Sequence, residues 1–382
     1  MLNIEIKGVQ FSNKGAELML EAILEQLDDQ LDNYEITLSP GPNLPYIKRA
    51  KLGAWQKLSF RRGSFDLTGS FGKLPNIVKR LLKRYGIVTE SEIDVILNAS
   101  GFAYGDQWPA FDLKNTAKEI IRFKKANKPY IILPQAIGPF NNLHLQKDAS
   151  ILINDSCLIF ARDEQSFLAC KKLDKSNNLQ ISPDFTALVA SSFTAKFPEK
   201  TICLIPNNKV VSKYNHIDAE QEYQSYVMFW VRSAEVLIKL GYKVALLNHE
   251  GKEDLAICED IIKHAKCELI LIDGLSGVKI KAFLGQCDGV ISSRYHGCVS
   301  ALTQGIPCLA TSWSHKYEML YQEYDLPNNI VNFQLSEADL RCRLNQFIAC
   351  LPEQSDKCLA HAEKVKSENK LMWSSVINAI KK

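Results

Sequence analysis

An arginine and a histidine stand two positions apart in the segment with the clearest chemical signal. Residues 288–312 predict a buried strand, a basic turn with Arg294 and His296, a short helix ending at Gly305, and another strand. In open α/β sheets, ligands bind at the carboxyl ends of strands, where a helix N-terminus offers backbone N–H groups to an anion. A guanidinium fits phosphate or carboxylate, and an imidazole can donate a hydrogen bond or a proton. The segment therefore predicts an anion site, with Arg294 and His296 as the catalytic pair.

Simpler roles are open to the same two residues, since Arg294 also fits an ion pair and His296 a helix cap. We expect Gly297 to let a ligand approach the backbone closely, and we assign the neighbouring Tyr295 to substrate binding as well. Lys316 fits a phosphate contact or an ordinary surface position. The segment thus offers four candidate residues, and Lys316 follows it as a fifth.

The N-terminal half carries weaker signals. Arg162 follows the apolar run 157–161, and it fits an anion contact or a solvated charge cluster equally well. Asn13 and Gly15 open the first predicted helix, where Asn13 fits a ligand contact but fits a helix cap better. We assign Arg162, Asn13 and Gly15 to substrate binding.

Together these motifs resemble the polysaccharide pyruvyl transferase family. The strongest match is Ser-Ser-Arg-Tyr-His-Gly at 292–297, followed by Ala-Leu at 301–302 and Gly-Ile-Pro at 305–307. Weaker matches are Gly8 with 13–15, Gly-Pro at 138–139, Arg-Asp-Glu-Gln-Ser at 162–166 and Pro-Asp at 183–184. One departure is Asn-Ala-Ser-Gly at 98–101, where family members usually have a Gly-Gly-Gly-like turn.

The resemblance implies an α/β fold of two Rossmann-like domains facing a central cleft, as in GT-B enzymes. It also implies transfer of pyruvate from phosphoenolpyruvate onto a saccharide, as a ketal, in cell-surface polysaccharide biosynthesis. Such a donor needs two anion clamps, for which Arg294 and Arg162 are available, and an acid that protonates its methylene carbon. His296 is either that acid or a phosphate contact. No cofactor beyond the donor substrate is expected.

The rest of the chain predicts βα units around parallel sheets, because short Ile, Val and Leu runs alternate with segments of helical period. At 382 residues the chain exceeds the ~250–300 that one core supports. We divide it into an acceptor-side domain, 1–195, and a donor-side domain, 196–382, whose last helix can pack back on the first. Strands are predicted at 3–8, 35–39, 93–98, 129–134, 157–161, 201–206, 242–247, 268–272, 288–292 and 307–311, and helices at 14–30, 115–127, 220–240 and 370–382.

Positive charge is concentrated in residues 46–90, which hold eleven Lys or Arg against Asp66 and Glu90. Within this segment, 75–86 predicts an amphipathic basic helix. It fits a helix packed on its own domain, or a contact with an anionic membrane that would suit a lipid-linked acceptor. Nucleic acid is excluded as a partner, since the net charge is only +3 and no binding module accompanies the charges.

The sequence also bears on location, metal binding and alternative functions. The charged N-terminus does not resemble a signal peptide, so we expect a cytoplasmic protein, at most at the inner face of the membrane. No metal site is expected, because the eleven cysteines form no Cys-x-x-Cys pair and no His, Asp or Glu cluster has ligand spacing. The alternatives are a GT-B glycosyltransferase that uses a nucleotide sugar and a non-catalytic partner in polysaccharide assembly.

Overall fold

The chain folds into two compact units in a computed structural model that describes residues 1–63, 65–190, 197–211, 219–311 and 315–382, without the side chains of Ala219 and His315. The first unit contains residues 1–11, 19–185 and 368–382, and the second contains 12–18 and 186–367. The chain therefore passes between the units four times: after Phe11, inside its first helix, after Phe185 and inside its last helix.

The first unit is built on a nine-stranded sheet whose strand pairs are all parallel. Its order is β11-β10-β9-β7-β1-β2-β3-β6, with β8 paired to β9, and β4 and β5 form a separate antiparallel pair. The central strands β7 and β9 are buried along their whole length, as parallel strands covered on both faces are. The strands are β1 (Leu2–Lys7), β2 (Tyr34–Leu38), β3 (Trp55–Lys57), β4 (Arg61–Arg62), β5 (Phe65–Asp66), β6 (Ile87–Val88), β7 (Val95–Asn98), β8 (Phe102–Tyr104), β9 (Tyr130–Ile137), β10 (Leu158–Ala161) and β11 (Leu179–Ile181).

The second unit has a six-stranded parallel sheet in the order β14-β13-β12-β15-β16-β17. Chain order runs outward from β12 in one direction and then restarts at β15 on its other side. The carboxyl ends of β12 and β15 therefore form the topological switch point of this sheet, where α/β folds bind ligands. The strands are β12 (Thr201–Ile205), β13 (Lys243–Leu247), β14 (Ile270–Ile272), β15 (Gly289–Ser292), β16 (Cys308–Thr311) and β17 (Ile330–Val331).

Helices cover the sheets of both units. The helices are α1 (Lys14–Gln30), α2 (Tyr46–Lys51), α3 (Thr68–Phe71), α4 (Asn76–Arg84), α5 (Ala110–Lys125), α6 (Leu143–Asp155), α7 (Glu164–Lys171), α8 (Ala219–Lys239), α9 (Gly251–His264), α10 (Gly277–Gly285), α11 (Tyr295–Leu302), α12 (His315–Glu323), α13 (Glu337–Ala349) and α14 (Leu351–Lys381). Among the described residues, no helix is long and apolar enough to cross a membrane.

The fold class predicted from the sequence is confirmed as α/β with parallel sheets, and a strand lies at each predicted position. The division into units is more interleaved than a single cut at 195/196, and residues 191–196 of the predicted break lie outside the described part. Residues 368–382 belong to the first unit, where Trp373 packs edge-to-face on Phe185 at 6.1 Å.

Candidate active site

The turn after β15 is fixed by hydrogen bonds from three other elements. The carbonyl of Ser293 accepts from Asn207 Nδ2 at 2.9 Å and from the Tyr317 hydroxyl at 2.6 Å. The Ser293 amide donates to the carbonyl of Ile205, at the end of β12, at 2.9 Å. Because the polar backbone groups of this turn are held on both sides, the start of α11 has a defined position at the switch point.

Arg294 is held by two carboxylates of the loop and helix that follow β13. Its Nε donates to Asp254 Oδ2 at 2.9 Å and its Nη2 to Asp254 Oδ1 at 2.5 Å, while Nη1 binds Glu250. The side chain is 8% exposed. Burial opposes its charge, but the pull of Asp254 and Glu250 is stronger, so the pKa of Arg294 lies above its ordinary value. The ion pair considered for Arg294 is therefore present. Its predicted role as an anion clamp stays a prediction, and the geometry favours a positioning role.

His296 lies in the first turn of α11, against the first turn of α1. A Cβ added at Gly15 would lie 2.2 Å from His296 Nδ1 and 2.9 Å from its Cβ, closer than side chains approach. The Tyr295 ring meets the imidazole edge-on, with ring centroids 5.5 Å apart. Gly15 is therefore needed for the position of His296, and the two predicted residues are brought together.

The start of α1 is itself fixed by a pair of contacts. Asn13 Oδ1 accepts from the amide of Ala16 at 3.1 Å, so Asn13 caps α1. Glu17 Oε2 accepts from the amide of Gly277, the first residue of α10, at 3.1 Å, and from Lys14 Nζ at 2.8 Å. These bonds hold Gly15 where His296 approaches it. The cap expected for Asn13 is confirmed, and its assignment to substrate binding stays a prediction.

Replacement of Gly15 by Ala is expected to displace the imidazole of His296. Overpacking of this kind costs about 1–3 kcal/mol of unfolding free energy, and a displacement of about 1 Å at a reacting group can cost about 10²-fold in kcat. Thermal unfolding and steady-state kinetics measure the two effects. Gly41→Ala is the matched control, because a Cβ there would meet nothing within 4 Å. A Gly15→Ala enzyme with normal kcat would contradict this account.

A second histidine, which the sequence reasoning missed, follows β13. His249 is 4% exposed, and its Nδ1 has no hydrogen-bond partner among the described residues. Burial holds the pKa of His249 well below its ordinary value, and the positive charges of Arg294, His296 and Lys14 lower it further. A neutral buried imidazole beside these groups can accept a proton when an anion arrives. Its position directly after the strand predicted at 242–247 was the signal that could have found it.

Tyr295, Gly297 and Lys316 complete the group around the turn. Tyr295 is buried and packs edge-on against Tyr317 at 5.7 Å, and Lys316 Nζ lies 5.1 Å from the centre of the Tyr295 ring. A Cβ at Gly297 would lie 2.7 Å from Ser292 Oγ, so the glycine serves close packing of α11 on β15. The close approach of a ligand at Gly297 stays a prediction. Ligand contacts by Tyr295 and Lys316 stay predictions.

Arg162 belongs to the first unit and directly follows β10. Its side chain is buried, and Nη1 contacts Asp184 Oδ2 at 3.3 Å. Asp184 is tied in turn to α14, because its carbonyl accepts from Asn369 Nδ2 at 2.9 Å. The solvated charge cluster considered for Arg162 is therefore wrong, since the ion pair is buried. Its role as an anion clamp stays a prediction.

The described residues contain no group of three or more His, Cys, Asp or Glu placed to hold a metal ion. Residues 312–314, which follow β16 in the sequence, lie outside the described part of the chain. The residues that follow β13, β15 and β16 bring together two imidazoles, an ammonium group over an aromatic ring and the N-terminus of α11, beside a guanidinium held by two carboxylates. Groups of these kinds can transfer a proton or contact an anion.

Solved structures of epimerases and of a glycosyltransferase share the fold of this chain. UDP-GlcNAc 2-epimerase from Neisseria meningitidis matches with a TM-score of 0.62 at 10% identity, over 99% of this chain and 100% of that one. The enzyme of that name from Methanocaldococcus jannaschii gives 0.55 at 10% identity, over 91% and 92%. A spinosyn rhamnosyltransferase gives 0.52 at 13% identity, over all of both chains. These likenesses show the GT-B-like fold that the resemblance implied.

Comparison of sequences identifies the family. No curated protein matches this chain. A profile of the polysaccharide pyruvyl transferase family matches residues 13–315, which spans the glycine at the start of α1 and the Arg-Tyr-His turn after β15. The chain therefore belongs to the polysaccharide pyruvyl transferase family.

Proposed function

We propose that this protein transfers pyruvate from phosphoenolpyruvate onto a saccharide in cell-surface polysaccharide biosynthesis. The observation that carries the proposal is the placement of His296: it opens α11 at the switch point of the second sheet, pressed against Gly15, inside the region that matches the family. The donor bears a phosphate and a carboxylate, and the residues around His296 supply acid–base and anion-binding groups of the right kind.

In the proposed reaction, His296 donates a proton to the methylene carbon of phosphoenolpyruvate, and C2 becomes an oxocarbenium-like centre. One sugar hydroxyl attacks C2 and loses its proton. The bond between C2 and the phosphate oxygen breaks, phosphate leaves, and a neighbouring hydroxyl attacks C2 and loses its own proton. Of the two hydroxyl protons, one restores the proton that His296 gave to the methylene carbon, and the other leaves with the phosphate as HPO4²⁻. The products are a cyclic pyruvate ketal and inorganic phosphate. The step uses two substrates and no further cofactor.

The charge balance of the site points to the histidines as the source of positive charge for the donor. Among the described groups, three cations stand against three carboxylates: Arg294, Lys14 and Lys316 against Asp254, Glu250 and Glu17. A protonated imidazole at His296 would add the positive charge that an anionic donor requires. The negative charge of a bound donor would also offset the repulsion from Arg294, His296 and Lys14 that lowers the pKa of His249.

The direct test supplies purified protein with phosphoenolpyruvate and a panel of lipid-linked and nucleotide-linked saccharides, and follows phosphate release together with product mass. A product heavier by one pyruvate ketal supports the proposal. Phosphate without such a product indicates hydrolysis. Thermal stabilisation by uridine, guanosine or cytidine nucleotides, but not by phosphoenolpyruvate, would support nucleotide-sugar transfer instead.

We further propose that the first unit rests on the inner, anionic face of the membrane, where a lipid-linked acceptor would be found. Every residue of α4 is at least partly exposed, and Ile77, Leu81 and Tyr85 on its apolar face are 78%, 53% and 75% exposed. The apolar face is therefore available to lipid, next to the basic face with Arg80 and Lys83.

Some basic side chains of residues 46–90 are not available to contact a membrane. Lys57 is fully buried against Glu5 and Glu119, and Lys79 Nζ donates to the carbonyl of Gly72 at 2.7 Å. The surface charge is therefore smaller than the sequence count suggested. Three of the exposed cations that remain, Arg80, Lys83 and Arg84, lie on α4.

Neutralising Arg80, Lys83 and Arg84 to Gln together is expected to weaken binding to anionic vesicles. Each basic residue near such a surface contributes about 1 kcal/mol, so the triple variant should partition about 10²-fold less well. Flotation with phosphatidylserine-containing and neutral vesicles measures this. The matched control neutralises Lys239, Lys263 and Lys266, exposed cations of the second unit. Equal flotation of the two triple variants would remove the membrane proposal.

A further inference from the structure

The first unit has its own topological switch point, and a cavity opens there. From β1 the chain continues through β2, β3 and β6 on one side of the sheet, and it then returns to β7, β9, β10 and β11 on the other. The carboxyl ends of β1 and β7 therefore lie side by side, and Lys7 and Asn98 are the last residues of these strands. In open α/β sheets this is the position at which ligands bind.

The cavity has a volume of about 380 Å³, within the range of about 300–1,000 Å³ for small-molecule sites. Its wall comes from the end of β1, the loop after β7, the β4–β5 hairpin and one face of α5. Six residues supply the side chains that carry the argument: Lys7, Arg61, Tyr104, Phe111, Asp112 and Asn115.

A network centred on Asn98 holds one side of the wall. Asn98 Nδ2 donates to the Tyr104 hydroxyl at 2.8 Å, and Asn98 Oδ1 accepts from the Ser100 hydroxyl at 2.6 Å. A Cβ at Gly8 would lie 2.3 Å from Ser100 Cα, so the turns after β1 and β7 touch backbone to backbone. Tyr104 and Ser100 are thus fixed in place before any ligand arrives.

Two cations line the opposite side, and both are bound to one buried carboxylate. Glu119 contacts Lys7 and lies 2.9 Å from Arg61 Nη2 and 2.8 Å from Lys57 Nζ. Burial would raise the pKa of Glu119, but Lys57, Lys7 and Arg61 outweigh it and hold that pKa well below its ordinary value. The side chains of Lys7 and Arg61 keep 14% and 29% exposure, so each retains donor hydrogens on the cavity side.

The balance of charges in and behind the cavity wall indicates which kind of ligand the cavity can bind. The wall itself carries Lys7, Arg61 and Asp112. The network of ion pairs behind the wall adds Lys57 and Arg122 against Glu5, Asp66, Glu90 and Glu119, so that four cations stand against five carboxylates in all. No positive charge is left over among these described groups to balance an anion. A phosphate or carboxylate would therefore meet no net attraction, whereas a neutral ligand with many hydroxyl groups would find donors and acceptors on both sides.

Two further features favour such a ligand. Asn115 is buried, its Nδ2 donates to the carbonyl of Gly63 at 2.9 Å, and its Oδ1 has no hydrogen-bond partner among the described residues. A buried acceptor of this kind is costly unless a partner donates to it. Phe111 lines the cavity and is 43% exposed, which offers an aromatic face to the apolar side of a sugar ring.

We propose that this cavity binds a neutral sugar ring of the saccharide acceptor, with Asp112 and Asn115 accepting from its hydroxyls and Lys7 and Arg61 donating to its oxygens. Only the identification of this sugar as the acceptor rests on the proposed function. The cavity and its polar lining are features of the first unit alone.

The test uses direct binding, so that it does not depend on turnover. Saturation-transfer NMR and calorimetry follow the full chain with a panel of neutral methyl hexosides and methyl N-acetylhexosaminides at millimolar concentration. Asp112→Asn and Phe111→Ala are each expected to weaken the bound glycoside about tenfold, through a lost charged hydrogen bond and a lost aromatic contact. Both side chains are exposed, so both variants should fold.

The matched controls are Asp29→Asn and Leu143→Ala, exposed residues of the same unit outside the cavity. They should bind the glycoside as the wild type does, and all four variants should bind phosphoenolpyruvate normally. The proposal is overturned if no glycoside binds, if the two cavity variants match their controls, or if inorganic phosphate displaces the glycoside. Glycoside binding that depends on the cavity, without any pyruvylated product, would leave this inference standing while the proposed function failed.

Discussion

Replacement of His296 by Ala is expected to lower kcat for pyruvyl transfer by about 10²- to 10⁴-fold, the contribution of a positioned general acid. The imidazole is half-buried between the turn of Gly15 and the ring of Tyr295, so its place is fixed by packing. The loss should appear in phosphate release and in product formation alike, because both follow the same protonation. His144→Ala, an exposed histidine on α6, is the matched control.

A second substitution separates the two roles that remain open for His296. Glutamine keeps a hydrogen-bond donor but cannot transfer a proton. If His296 is the acid, His296→Gln should be as slow as His296→Ala. If it only contacts phosphate, His296→Gln should keep most of kcat, and the KM for phosphoenolpyruvate should rise mainly in the alanine variant. Full turnover in both variants would remove His296 from the site.

The sequence was sufficient for the strands that form the centres of the sheets. Their apolar runs are continuous because parallel strands are covered on both faces, and the run predicted at 129–134 corresponds to β9, which is buried throughout. The strands it did not predict are short or lie at edges, such as β3, β6 and β17, where two or three residues leave no periodic pattern. Element existence was therefore predictable where burial was complete.

The candidate site was predictable only in part, because its contacts join residues far apart in sequence. The motif placed Arg294 and His296 at a strand end, but nothing local to it indicates that Asp254, forty residues earlier, binds the guanidinium. Gly15 was predicted at the start of the first helix. The sequence could not show why a glycine is needed there, because the contact that requires it is made by His296, which lies far along the chain. His249 was missed because its one signal, a position after a predicted strand, is not accompanied by a motif or by the spacing of a second candidate residue.

The largest expected change in the free energy of unfolding comes from removing the ion pair between Arg294 and Asp254. Asp254 is fully buried, and removing one partner of a buried pair leaves an uncompensated charge, which costs about 3–5 kcal/mol. We expect Asp254→Leu and Arg294→Met each to lower the unfolding free energy by about that amount in denaturant titrations. The double variant should lose less than the sum, because it removes both charges, and the double-mutant cycle then measures their coupling.

Kinetics of milder variants then decide what Arg294 does. If the guanidinium clamps the donor, Asp254→Asn should release it towards the anion and lower the KM for phosphoenolpyruvate, while Arg294→Lys should raise that KM. If Arg294 instead braces the turn that carries His296, both variants should lower kcat and leave the KM nearly unchanged, because the bidentate pair that fixes the turn is lost in each. The geometry predicts the second result, since the carboxylates of Asp254 and Glu250 already occupy all three nitrogens of the guanidinium. A donor KM that moves in opposite directions in the two variants would overturn the positioning role and restore the clamp.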